Sequence, residues 1–270
     1  NLVNSGSGKL TLSAANTFTG TTTISAGTIA LSGSGSIASS SGVTNNGNFD
    51  IASTTVGASV VSLSGSGTTV LGTKTLSISN ATGTLSGQIS GSGNIVLTAG
   101  TQTLSGNNTY TGTTTINGGT LIISSSTGLG SDAGGAVTIN GSGTLDLASV
   151  TVGTKAVVLN GGTLRDVTSS LAGNISLTAD STLDAGSGDT LTLSGIISGG
   201  YGITKTGSGT VVLSGTNTYT GSTIINAGTL SISSASNINS ATGGLTLGGG
   251  TLLLTGTNTS VSLSGTPTLT

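Results

Sequence analysis

Histidine, cysteine, methionine, tryptophan and glutamate are all absent from this chain of 270 residues. Without them a His-based triad, a thiol nucleophile, a His or Cys metal site and a c-type haem cannot be assembled. Charge is nearly as scarce. Five Lys or Arg and seven Asp make 12 charged residues with a net charge of −2, where about a quarter of a soluble domain is usually charged. So few cations leave no basic footprint for nucleic acid and no polybasic or amphipathic membrane helix. Apolar runs stop after three or four residues, far short of the roughly 20 needed to span a bilayer. Pro267 is the one proline, and five aromatics (three Tyr, two Phe) complete the list of what is rare.

What is present is mostly small. Gly (49), Ser (45) and Thr (53) supply 54% of the positions, a composition shared with flexible linkers. Leu, Ile, Val and Phe nevertheless number 67, or 25%, above the roughly 20% below which chains tend to be disordered. With a mean hydropathy of +0.33, the chain is expected to bury a core. No composition shift, charge block or proline cluster marks a boundary, so residues 1–270 read as one continuous segment without a separate globular domain. Residue 1 is Asn, no signal peptide is visible, and the pattern runs on to Thr268-Leu269-Thr270; the expectation is a piece of something longer.

Self-similarity organises the sequence. GKLTLSAANTFTGTTTISAGTI from Gly8, GTQTLSGNNTYTGTTTINGGTL from Gly100 and GTVVLSGTNTYTGSTIINAGTL from Gly209 align without gaps. They define three long units anchored at residues 8–29, 100–121 and 209–230, in which Asn16, Asn108 and Asn217 are equivalent, as are Phe18, Tyr110 and Tyr219. Turn-like clusters of Gly and Ser punctuate the intervening sequence, a spacing that signals a solenoid.

Between turns, apolar residues alternate with Thr or Ser: Leu10-Thr11-Leu12, Leu76-Ser77-Ile78, Leu191-Thr192-Leu193, Val261-Ser262-Leu263. Period two means strand, and β-branched residues favour the pleated surface. Strands this short cannot stand alone, so each is expected to bury its apolar face against equivalents in neighbouring coils. At roughly 20 to 25 residues per coil the chain makes about 11 to 13 coils. Glycine is expected at corners needing φ > 0 or close approach. Asn16, Asn108 and Asn217 are expected to satisfy corner backbone groups or to stack as a ladder.

The motifs NTFTG (16–20) and NTYTG (108–112 and 217–221), with the preceding GSGTVVLSG and following INAGTL, resemble the autotransporter-associated β-strand repeat, or passenger-associated transport repeat. Gly202, Lys205, Gly207, Gly209, Leu213, Asn217, Tyr219 and Gly221 match that repeat position for position. Phe18 departs from the usual Tyr, and Thr101-Gln102 from the usual pair in the middle copy. The resemblance implies an all-β fold, a right-handed parallel β-helix or β-solenoid. It further implies a passenger segment of a Gram-negative autotransporter or adhesin, translocated through the outer membrane and displayed outside the cell, with no membrane insertion by the segment itself. Zero Cys is consistent with such export.

Few residues are able to carry chemistry. Asp50, Asp132, Asp146, Asp166, Asp180, Asp184 and Asp189 are the carboxylates. The densest group, Asp180, Asp184 and Asp189, follows Arg165 and Asp166 and could share a face of adjacent coils as a carbohydrate-active or calcium site; a solvated face explains it as well. GSGD (186–189) is a poor match to the calcium-binding nonapeptide. Lys74 and Lys155 share the frame G-T-K-x-φ-x-φ, which reads as an exposed position beside a strand rather than a general base. Tyr110, Tyr219 and Phe18 could contact a glycan or protein, although an aromatic covering a coil corner is the better reading of a residue recurring at one repeat position. Sequons at Asn80, Asn107, Asn174 and Asn258 have meaning only on a eukaryotic secretory route.

No catalytic residue, metal ligand or cofactor is therefore assigned. The expected function is a non-enzymatic extracellular rod or adhesive passenger segment, with a host, surface or glycan ligand and no nucleic acid. Two alternatives accompany it. One is a self-associating fibre built end to end from uncapped coils; the other is an ordered-surface binder of ice or glycan, motivated by Thr21-Thr22-Thr23 and Thr113-Thr114-Thr115. A carbohydrate-active enzyme ranks below both.

Overall fold

The computed structural model describes residues 1–238, 243–256 and 268–269. The strand expected at Val261–Leu263, the Asn258 sequon and Pro267 lie outside the described residues. Among those described, the chain is all-β: parallel strands stack in about 12 coils as a β-solenoid. The one named helical element is a single 3-10 turn, Ala235–Asn237, capped by Ser234. No described helix is long and apolar enough to cross a membrane.

Two compact units are present, Asn1–Val137 and Thr138–Thr270. In the first, one face carries Leu2–Asn4, Thr22–Ile24, Val43–Asn45 and Leu63–Ser64 in that order, and another carries Lys9–Leu12, Thr28–Gly33, Asn48–Thr54, Thr68–Val70 and Ile89–Ser90. A third begins at Ala58–Val60 and continues through Leu76–Ile78 and Ile95–Leu97 to Thr114–Ile123. In the second unit, Thr151–Val152, Ser169–Leu171, Thr190–Leu193, Thr210–Leu213, Thr229–Ile232 and Thr251–Leu254 form one face. Beside it, Thr144 to Ala148 pair with Thr163–Val167, followed by Ser181–Ala185, Ile203–Thr206, Thr223–Ile225 and Leu245–Leu247.

Register explains the core. Val60, Ile78, Leu97 and Ile116 are partners on successive coils, and all are buried. In the second unit Leu145, Leu164 and Leu183 form one such column, and Leu171, Leu193, Leu213 and Ile232 another. Each fully buried aliphatic contributes about 1.5–3 kcal/mol relative to exposure. Partners are separated by 18 to 22 residues, as in Ala58↔Leu76 and Thr182↔Thr204, so the coil lies at and just below the short end of the length expected from sequence.

The alternation also corrects one reading. Period two sends the middle residue of each Thr triplet inward: Thr22 and Thr114 are buried, leaving Thr23 and Thr115 outside on their strands. Neither triplet is a flat surface row.

Candidate functional site

The corners that precede Thr22–Ile24, Thr114–Ile123 and Thr223–Ile225 are where the repeat motif concentrates its polar chemistry. Asn108 is 2% exposed. Its Oδ1 accepts the Ile89 N–H at 2.8 Å and its Nδ2 donates to the Gly128 carbonyl at 2.7 Å, so one amide ties together three successive coils. Asn217 repeats the arrangement, accepting from Ile197 N–H at 2.7 Å and donating to the carbonyl of Asn237. Asn16 reaches one neighbouring coil only, through Ser36 O at 3.1 Å, and spends its other contact on Ala14 O. Of the two roles expected for these residues, the corner-satisfying one is what the geometry shows.

Two residues downstream, Tyr110 and Tyr219 are fully buried. Each hydroxyl meets a threonine four residues on, Thr114 and Thr223, with 2.6 Å between the oxygens. Burial pushes the Tyr110 phenol well above its ordinary value, and the Thr114 hydrogen bond pulls it only partly back. These rings cover the corner from within and are not available to a glycan. Phe18, half-buried, has no hydroxyl to offer the equivalent Thr22. There the Thr22 hydroxyl bonds Ser40 Oγ at 3.0 Å, and Ser40 in turn bonds Gly20 O and Gly42 O.

Several polar residues point inward where the sequence reading assigned them no such place. Lys205 lies in the column Leu183–Lys205–Ile225 and is fully buried. Its ammonium donates to the carbonyls of Thr206, Gly207 and Ala227, while burial pulls its basicity down against the Asp184 charge. Gln102 donates from Nε2 to Leu63 O, Gly83 O and Thr103 O, and Asn45 donates to Thr68 O. Parity could have found them: Lys205 alternates in step with Ile203, and Gln102 with Leu104.

Lys155 corrects the exposed reading given to its frame. It is fully buried, because it shares the parity of Val157 and Leu159. Lys74 escapes that fate by closing a turn, its N–H bonded to Leu71 O at 3.0 Å, and its Nζ lies 3.4 Å from Thr55 O on the flank.

The carboxylates do not converge as expected. Asp180, Asp184 and Asp189 belong to one coil and act separately. Asp180 accepts the Gly202 N–H at 2.7 Å, Asp184 accepts the Thr206 hydroxyl at 2.8 Å, and Asp189 closes a turn with its N–H on Gly186 O. Among the described residues no group of three such ligands is placed to hold a metal ion. The aligned charges are instead Asp146, Arg165 and Asp184, in register on three coils; Arg165 pairs with Asp146 at 2.6 Å. Asp50 pairs with Lys9 at 3.6 Å. Asn80, Asn107 and Asn174 are exposed. A groove of about 330 Å³ between Gly33–Ser36 and Val56–Ser59, with Thr75 and Ser77, is lined without any ionisable side chain.

A β-solenoid whose corners are closed by an asparagine and an aromatic from a recurring motif defines the class. Residues 2–31, 99–123 and 203–232 match the passenger-associated-transport-repeat family model, and each match contains one of the corner motifs. These three segments are repeats of the kind found in autotransporter passenger regions. A stretch of 43 residues is 58% identical to the Adhesin BmaC autotransporter of Brucella suis biovar 1 (strain 1330), covering 16% of this chain and 1% of that protein. The alignment thus spans a very small part of the relative's length. No solved structure matches the chain.

Proposed function

We propose that the chain is a non-enzymatic, adhesive passenger segment displayed outside a Gram-negative cell. The observation that carries this reading is the use made of the repeat motif. Its amides bond one coil to the next, and its phenols and buried lysine are spent on threonine hydroxyls and backbone carbonyls inside the stack, which leaves a hydroxyl-rich exterior with little catalytic equipment. The similarity to an adhesin supports a surface, host or glycan ligand, and the repeat family supports export and display.

The test is made on the parent protein in cells. Antibody against residues 1–270 is expected to label intact cells, and in-frame removal of the segment is expected to reduce attachment to glycan- or matrix-coated surfaces. Unlabelled cells, or polysaccharide hydrolysis by the purified chain that disappears on changing Asp180, Asp184 and Asp189 to Asn, would overturn the reading.

One observation favours an ordered-surface binder as a second reading. Thr144, Thr163, Thr182 and Thr204 are partners on successive coils, a file at about 4.8 Å spacing. The neighbouring file holds Asp146, Arg165 and Asp184, which interrupts a uniform hydroxyl array. Lack of thermal hysteresis in the purified chain would retire this alternative.

A further inference from the structure

We infer that the folded second unit holds Asp166 as the neutral acid and that ionising it loosens the turn Gly186–Asp189, making this corner a proton-operated latch. Strand Thr163–Val167 alternates, so Leu164 and Asp166 point inward. Asp166 is stacked between Leu147 and Ala185 of the adjoining coils, and all three are at most 1% exposed. Both of its carboxyl oxygens are buried without a hydrogen-bond partner. The neighbouring Ser169 hydroxyl donates to Leu147 O at 2.8 Å.

The cations nearby are committed elsewhere. Arg165 is engaged by Asp146, and Lys205 by three carbonyls. The charges that face Asp166 are Asp189, in the turn following Ala185, and Asp146; both are carboxylates. An anion here would combine lost hydration with like-charge repulsion, opposed by Ser169 alone. Burial accordingly pushes the Asp166 carboxyl up, the nearby Ser169 hydroxyl and N–H pull it part of the way back, and Asp189 and Asp146 add smaller rises. Thr168, two residues along in Asp166's own corner, is β-branched yet sits at φ 52°.

The direction follows from linkage. The folded state binds this proton more tightly than the unfolded state, so the contribution to stability is complete below the ordinary carboxylate range near pH ~4 and is lost as pH rises through the elevated folded value. The latch is shut in acid and slackens toward alkali, whether or not the segment is adhesive.

The chain has seven Asp, few enough for a carboxyl ¹³C NMR titration to resolve each. The Asp166 midpoint is expected above the other six, and Asp189→Asn is expected to lower it. Between about pH 4 and pH 8 the Tm of the unmodified chain is expected to fall by about 3 °C or more relative to Asp166→Asn, with faster hydrogen exchange at Gly186 to Thr190. An Asp166 midpoint in the ordinary carboxylate range, or equal pH slopes for the two proteins, would overturn the inference. If Asp166→Asn does not fold, the titration and the Asp189→Asn shift decide it.

Discussion

A polar side chain turned into a stack of coils must find its partners on the coils before and after, and the three motif asparagines differ in how far they manage this. Asn108 satisfies buried groups on two neighbouring coils, Asn16 on one. Leaving a buried donor or acceptor unmatched costs about 1–3 kcal/mol. Asn108→Ala is therefore expected to cost about 3 kcal/mol, and Asn16→Ala about 1 kcal/mol or less, in urea unfolding. The tyrosine corner gives a sharper test, because removing one hydroxyl of a pair is worse than removing both. Tyr110→Phe should destabilise by about 1–2 kcal/mol, and adding Thr114→Val should restore part of that loss. Phe18 supplies the natural comparison: its Thr22 has already been given another partner in Ser40. At this scale, the motif residues were legible because they recur. Lys155, Lys205 and Asp166 were harder to place, since a charged residue on the inward parity of a strand contradicts the polarity from which exposure is ordinarily read.

Elements are set by spacing as much as by side chains. Alternating Leu, Ile and Val made the strands readable, and the turn clusters made the coil readable. The Thr triplets misled because Thr serves both faces of a pleated strand, outside as a hydroxyl and inside as the partner of Tyr110 or Ser40. The acidic group Asp180, Asp184 and Asp189 misled for a related reason: proximity in sequence placed all three in one coil, where side chains diverge, whereas alignment across coils requires a separation of 18 to 22 residues, as between Asp146 and Arg165. Glycine acts here through contact. Gly47, Gly67, Gly87 and Gly106 lie on successive coils, and a Cβ on Gly87 would come within 1.8 Å of Gly67 O. Gly87→Ala is expected to cost about 2 kcal/mol or more through forced backbone movement. Gly8, which a Cβ would leave without any contact within 4 Å, should accept Ala with a change of under about 1 kcal/mol. Denaturant midpoints of the two variants measure the difference.

Across the whole molecule, charge is scarce and unevenly divided: eight of the 12 charged residues follow position 138. A pH response that begins in that part of the sequence, and leaves exchange in residues 1–137 unchanged, is the expected pattern. The burial of Lys155 and Lys205 has a further consequence for proteolysis. Trypsin-like enzymes cut after Lys or Arg and need several residues in extended, accessible form. Of five such bonds, two follow side chains sealed inside the coils, and a third follows an arginine clamped by Asp146. Chymotrypsin fares no better at Tyr110 and Tyr219, which are buried too. Native digestion followed by mass spectrometry should find cuts after Lys9, Lys74 or Tyr201 and none after Lys155, Lys205, Tyr110 or Tyr219. The same inward turn that closes the corners would shield the folded chain from both kinds of protease.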